Sequence, residues 1–285
     1  NFDLGWILSA GCVVDVDFHG RLLIVTICPI IILLLLAATF VAASRGHRGE
    51  MEASRQTWNK HMSMVILLTF FVYSGVSSVL FKTFACEELD NGNHYLRADY
   101  RIECDSPKHE AFKAYAGIMI VMYTIGVPAF YAGLLYTHRE TLGIDGPRRK
   151  EDARVIPTSE LWKPYKPSRF YFELIECARR ICLTGVVVFI YPNTAAQIAI
   201  TLMMAVVFAL ISEGLAPYIS NWDAWLNRMG HAVVSISMYI ALLLRVDVSN
   251  ERAVSQKVFD SLLIAIHACM VLVVLAEALL MAFSL

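Results

Sequence analysis

The feature that most constrains this chain is a series of apolar runs of roughly 18 to 23 residues, each able to cross a hydrocarbon core about 30 Å thick as a helix. Leu22–Ala43, Met62–Phe84, Tyr115–Tyr136 and Val258–Met281 meet that length easily, and Ala195–Leu215 and Met229–Leu244 have the same character. Phe170–Tyr191 is apolar only in its second half. In lipid every backbone N–H and C=O has to be satisfied within the segment, so such runs are helices. The expected fold is all-α, a polytopic membrane bundle of about seven transmembrane helices forming a single domain over residues 20–285.

The balance of residues agrees. The chain is 57% hydrophobic and 17% charged, too little polar surface to clothe a soluble domain of this length. Its 24 basic and 25 acidic residues nearly cancel, so it lacks the basic stripe that a nucleic-acid binder needs to neutralise phosphates.

Loop charge sets the expected orientation, because Lys and Arg stay on the cytoplasmic side. Ser44–His61 holds Arg45, Arg48, Arg55 and Lys60, Thr137–Arg169 holds eight more, including Arg148, Arg149 and Lys150, and Arg228 follows the fifth span. These thirteen face only five on the other side: Arg97, Arg101, Lys108, Arg252 and Lys257. The N-terminus is therefore expected outside and the C-terminus inside. Asn1–His19 has neither a basic n-region nor a signal-type apolar core, and is expected to be an extracellular lead-in from a segment further upstream.

Between the second and third spans lies an outer, acid-rich loop, Ala85–Ala111, that contains Cys86 and Cys104. In an oxidising lumen these thiols are expected to bond, closing a loop worth on the order of 3 kcal/mol in the chain-entropy model. No Cys/His cluster has zinc spacing, and no metal or other cofactor is expected. Gly126 and Pro128 should kink the third span, while Ala129 and Gly133, four apart, would let a neighbouring helix approach closely. Pro217 after Gly214 should end the fifth span, and Ser220 with Asp223 reads as a capping box ahead of Trp222 and Trp225, placed at headgroup level.

The densest chemistry lies around the fourth span. Lys163-Pro164-Tyr165-Lys166-Pro167 is a stiff basic approach, extended or turn-like before each proline, after which Ser168 can cap a helix. Glu173, Glu176, Arg179 and Arg180 follow at the inner membrane boundary, with Glu176 and Arg180 at the i, i+4 spacing that favours an ion pair. Intramembrane charges are costly unless they pair or face a polar cavity. The cluster is consistent with a gate, an ion path or a dock for anionic lipid headgroups; it is equally consistent with a salt-bridge network that locks the helix to its neighbours. Glu213 and Glu277 are further candidate intramembrane acids, and His231 and His267 lie in or near spans. Catalytic signatures such as GxSxG, HExxH or a Walker loop are absent from the sequence, and the chain is not expected to be an enzyme.

Three stretches carry a resemblance: TFACEELDNGNHYLRADYRIECDSPKH (Thr83 to His109), LWKPYKPSRFYFELIECARR (Leu161 to Arg180) and YPNTAAQIAI (Tyr191 to Ile200). They resemble the TRP-like C-terminal transmembrane domain of large multi-domain membrane proteins of algae, oomycetes and other protists. The resemblance implies a large, repeat-rich extracellular region upstream in the same polypeptide and residence in the plasma membrane or another secretory-pathway membrane. It also implies a candidate cation channel or channel subunit, a possible homo-oligomer, in which the last two spans line the path. The short acidic connection with Asp247 and Glu251 would then form its outer mouth. Two departures stand against a conventional tetrameric channel: Arg245–Lys257 is too short for a re-entrant pore helix, and the fifth span lacks spaced arginines. The alternative is a seven-helix receptor or anchor module holding the extracellular region.

Overall fold

The computed structural model describes residues 16–46, 51–89, 92–146, 149, 152, 154–192, 194–246, 261–273 and 275–276. Among these, five helices are long and apolar enough to cross a membrane. They are α1 (Phe18–Gly46), α2 (Met51–Lys82), α3 (Pro107–Thr137), and, after shorter elements, α7 (Ala195–Leu215) and α8 (Asn221–Val246). The expected fourth span is interrupted, and Ser261–Val273 (α9) is the described part of the expected seventh, too short by itself to cross. The chain divides into two compact units, Asn1–Val188 and Phe189–Leu285.

In the first unit α2 is the central helix: 44% of its most apolar stretch is buried, twice the 22% of α1. Its two halves carry different cores. Towards its C-terminal end Val72, Val76, Val79 and Leu80 pack with Phe18, Leu22 and Val25 of α1 and with Ala116 and Tyr123 of α3. Towards the other end Ile66 and Tyr73 pack with Val127, Tyr131 and Leu135 of α3 and with Cys177. Polar side chains inside this packing are bonded across helices: Tyr123 donates to Thr26 O at 2.7 Å, Thr26 Oγ1 and Tyr115 Oη lie 2.6 Å apart, and Thr124 donates to Ser77 Oγ at 3.0 Å. Such bonds satisfy groups for which lipid offers no partner.

The loop between α2 and α3 is not purely irregular, as an all-α reading requires. It holds a three-stranded antiparallel meander, β1 (Cys86–Glu88), β2 (His94–Leu96) and β3 (Asp99–Glu103). Cys86 pairs with Leu96 in register, Tyr95 with Glu103, and the ladder is irregular between Tyr95 and Leu96. The Cys86–Cys104 disulfide forms as expected, with Cα atoms 6.4 Å apart. Leu96 and Ile102 seat the sheet on the core below. Ser106 caps α3, accepting from His109 N–H, with Pro107 in the first turn.

The distortion in α3 comes one turn earlier than the sequence suggests. Ile120–Ile125 is a π-helical turn, with Gly126 N–H donating to Val121 O five residues back. Pro128 lacks an N–H, and its ring clashes with the carbonyl four residues earlier, Thr124; widening the preceding turn relieves that clash. Gly133 does not serve as a close-approach site among the described residues, since a Cβ there would meet nothing within 4 Å.

After α3 come α4 (Arg139–Leu142), a 3-10 turn Ile156–Thr158, α5 (Ser159–Trp162) and a second 3-10 turn Pro167–Arg169. Arg149 organises this segment. It is buried, lies over the Trp162 ring at 4.8 Å and donates through Nη2 to the carbonyls of Trp162 and Tyr165 at 3.2 and 3.0 Å. It is therefore not one of the basic residues available to lipid headgroups. Lys163, expected outside the α region, is helical, whereas Lys166 is extended before Pro167. The expected fourth span resolves into α6 (Phe172–Thr184), a break at Gly185 and a 3-10 turn Val186–Phe189. Ser168 lies in the preceding 3-10 turn and does not cap α6, whose N-cap is Tyr171.

In the second unit α7 and α8 form a helical hairpin. Thr194 caps α7 through a bond from Gln197 N–H, and α7 ends on left-handed Ala216 just before Pro217. Ser220 Oγ accepts from the amides of Trp222 and Asp223, which forms the Ser220 half of the expected capping box. The stretch bearing Trp222 and Trp225 is continuous with the sixth span. Only 17% and 11% of the most apolar stretches of α7 and α8 are buried, which leaves most of their apolar surface for lipid or other protein.

Candidate functional site

The site lies where α6 packs against α2 and α3 in the first unit. Phe172, Glu173, Glu176 and Cys177 form the buried stripe of α6, a spacing of three and four residues that puts both acids on the packed face. Their side chains are 5% and 7% exposed, while those of Arg180 and Arg179 are 23% and 22% exposed. The carboxylates are thus inside and the guanidiniums lie at the edge.

The pairing differs from the i, i+4 expectation. Arg179, not Arg180, binds Glu176, with Nη2 and Nε at 2.6 and 2.9 Å from Oε2. Arg180 reaches Glu173 instead, Nη2 to Oε1 at 3.6 Å, and lies over the Phe70 ring of α2 at 4.3 Å. Tyr165 donates its hydroxyl to Glu173 Oε2 at 2.8 Å. The other oxygen, Oε1, is buried and has no hydrogen bond, so the Arg180 charge compensates it through space. Next to the acids, Tyr73 donates to Cys177 O at 3.4 Å, and Tyr131 Oη and Thr69 Oγ1 are 2.9 Å apart. The sequence does not single out Phe70, Tyr73 or Tyr131: each falls inside an apolar run with no motif to mark it. Two acids matched by two arginines neutralise one another, and the arrangement is an internal electrostatic joint rather than an open acidic cavity. Its weakest element is the Glu173–Arg180 contact, one hydrogen bond short of closure.

The remaining sites named from the sequence are scattered. Glu213 pairs with Arg228 across the α7–α8 hairpin, both side chains more than half exposed, beside an Asn227 Nδ2 to Ser212 Oγ bond of 2.6 Å. Glu213 is thus a hairpin ion-pair partner, not an isolated intramembrane acid. His231 is buried in α8, and His267 is exposed with Nδ1 2.8 Å from Leu263 O of its own helix. Trp222 and Trp225 stack at 5.0 Å, both exposed. Asp247, Glu251 and Glu277 lie outside the described residues.

At the sheet-bearing end Cys86, Cys104 and His109 bring ligand-type atoms within 4.8 Å of one another. The two sulfurs are bonded to each other, and a disulfide does not offer the thiolates that a metal requires. Electrostatics at this end are ordered by Asp99. Its carboxylate accepts from Arg101 Nε and Nη2, both at 2.9 Å, and from Phe18 N–H at 3.3 Å. Arg101 holds this acid below the usual carboxylate range, helped by the Arg101 and Phe18 amides and opposed by burial. In the segment after α3, Arg154 likewise lowers Asp152 to about 2.

No family model, curated protein or solved structure matches this chain.

Proposed function

We propose that the chain is the membrane module of a TRP-like cation channel or channel subunit. The first unit acts as a sensor-like helical bundle, and the helices of the second unit contribute to an ion path in an oligomer. The observation that carries this reading is the buried Glu173/Glu176/Arg179/Arg180 joint in the first unit. A charge network inside a helix bundle is costly to keep for packing alone, and its loose Glu173–Arg180 member gives the bundle an element that can repartner when a stimulus moves α6. The second unit supplies long apolar helices whose faces are largely uncovered, as helices that assemble around a shared axis must be before assembly. In this reading the sheet lies outside, the basic segments around Arg55 and Arg154 lie inside near anionic headgroups, and Asp247 and Glu251 form the outer mouth.

The test is reconstitution of the purified chain in planar bilayers, alone and with Asp247→Asn and Glu251→Gln together. A cation current that the double variant reduces most at low salt, where screening is weakest, supports the assignment. Absence of current under voltage, stretch and calcium, with a monomeric assembly, overturns it.

One observation favours a receptor or anchor module instead. The start of α1 is tied to the sheet end by Phe18 N–H to Asp99 and by Lys108 to Asp17 at 3.4 Å. A pull or twist arriving through the chain ahead of α1 would be transmitted into the bundle at these contacts. A monomer that conducts nothing, yet changes the protection of α6 when an upstream segment is bound, is the outcome this second reading expects.

A further inference from the structure

Two histidines that the ion-pair centre does not use are locked together at the sheet-bearing end. His19, 3% exposed at the start of α1, places Nε2 3.0 Å from Nδ1 of His109, which is fully buried at the start of α3. His109 Nε2 is 3.1 Å from Thr83 O at the end of α2. A carbonyl only accepts, so His109 carries its proton on Nε2 and its Nδ1 is an acceptor. His19 must then donate from Nε2. The chain His19 to His109 to Thr83 therefore places protons on Nε2 of both rings, leaves His109 neutral and joins three helix ends.

Only one ring nitrogen is left to take a proton, His19 Nδ1. It is buried, makes no hydrogen bond and lies 3.8 Å from Asp17 Oδ2. That carboxylate is already engaged: Oδ1 accepts from Gly20 N–H at 2.8 Å and Oδ2 from Lys108 Nζ at 3.4 Å. The His19 ring is stacked on Phe112 at 4.1 Å, closed off from water. The charged groups facing the pair are Asp17 just ahead of α1, Asp99 with its partner Arg101 from the sheet, and Lys108, Glu110 and Lys113 from α3. Burial opposes an imidazolium on either ring, as do Lys108 at His19 and Lys113 at His109; Asp17 and Asp99 favour one at His19, and Glu110 and the Thr83 carbonyl favour one at His109. A proton on His109 Nδ1 would instead clash with the Nε2–H of His19 unless His19 shifted its own proton to Nδ1.

We propose that the His19–His109 pair is an acid-opened latch that holds the start of α1 against the end of α2 and the start of α3. The closed latch is the neutral form. Protonation drives His19 out of the Phe112 stack into water and frees the three helix ends from one another. Proton uptake is a binding step with no bond broken beyond the hydrogen bonds named. By linkage the latch contributes its full stability above the ordinary histidine range of about 6.5 and loses it as pH falls. The latch operates whether or not the chain conducts.

The experiment uses the full chain in lipid nanodiscs with 15N-labelled histidine, followed from about pH 7.5 to about pH 5.5. Both rings should show the neutral Nε2–H tautomer at the upper pH. Hydrogen-exchange protection of residues 18–22 and 107–112, corrected for intrinsic rate, should fall together by up to about tenfold per pH unit below the histidine range. Peptides from α7 and α8 should not follow. His19→Gln keeps a donor for His109 Nδ1 but cannot titrate, and should flatten the profile. Equal protection at both pH values in the wild-type chain overturns the latch, as does an imidazolium at His19 with protection intact or an unchanged profile in H19Q. If H19Q does not fold, the wild-type exchange and tautomer data decide the matter alone.

Discussion

Tyr165 donates its hydroxyl to Oε2 of Glu173 across 2.8 Å, from a residue in the segment before α6 to a buried acid in its first turn. Among the described residues Glu173 has no other hydrogen bond from a side chain, and its second oxygen has none. Tyr165→Phe should therefore destabilise the folded chain by about 1.5–3 kcal/mol, the range for a bond to a charged group. Thermal unfolding in detergent reads the loss. In a Glu173→Gln background the same substitution should cost clearly less, and equal costs in both backgrounds would show that the hydroxyl acts by packing alone.

The arginine pairing can be separated by double-mutant cycles. Coupling of more than about 0.5 kcal/mol is expected for Glu173 with Arg180 and for Glu176 with Arg179, and coupling near zero for Glu176 with Arg180. Arg180→Leu alone should cost roughly 3–5 kcal/mol, because it leaves a buried carboxylate uncompensated. A dominant Glu176–Arg180 coupling would restore the pairing that helix spacing suggests and contradict the observed one.

That spacing rule failed for a definite reason. Side chains at i, i+4 meet on an isolated helix, but Arg180 is drawn across to α2, where the Phe70 ring faces its guanidinium; no sequence window contains both residues. Five of the long apolar runs, the Cys86–Cys104 bond and the Ser220 cap are legible because each depends on residues close in the chain or on a solvent property. The sheet was not, since strands of three to five residues rich in charge carry no usable alternation. The fourth span is broken at Gly185 because apolar content does not by itself ensure helical continuity. The His19–His109 contact joins residues 90 apart, and no sequence signal links the two.

Acid should loosen the sheet end through Asp99 as well, in a separate window from the histidines. Arg101 foremost, with the backbone amides of Arg101 and Phe18, holds Asp99 below its ordinary value. A depressed carboxylate contributes stability that is complete above the unfolded value near about 3.9 and disappears as pH falls through the folded value. Wild-type thermal stability should therefore drop below about pH 4, and Asp99→Asn should be less stable at neutral pH yet lose less on acidification. Parallel pH profiles for the two proteins would remove Asp99 as the titrating group.

Gly185 ends the α-helical stretch of α6, its N–H donating to Ile181 O at 2.8 Å, and the chain continues as a 3-10 turn over Val186–Phe189. Its φ of −112° is open to any residue, so backbone freedom does not explain the glycine. Space does: a Cβ at Gly185 would overlap the ring of Phe81 on α2 and approach Ile181 O to 3.0 Å. The absence of a side chain is what lets the end of α6 lie against α2, and that approach in turn keeps Arg180 within reach of Phe70 and Glu173. Gly185→Ala should cost about 1–3 kcal/mol, the usual range for overpacking, and should weaken the Glu173–Arg180 coupling measured by double-mutant cycle. In a Phe81→Ala background most of that cost should vanish, leaving the smaller contribution of the Ile181 carbonyl. Thermal unfolding of the four proteins closes the cycle; an undiminished cost without the Phe81 ring would show that Gly185 is needed for a reason other than contact with α2.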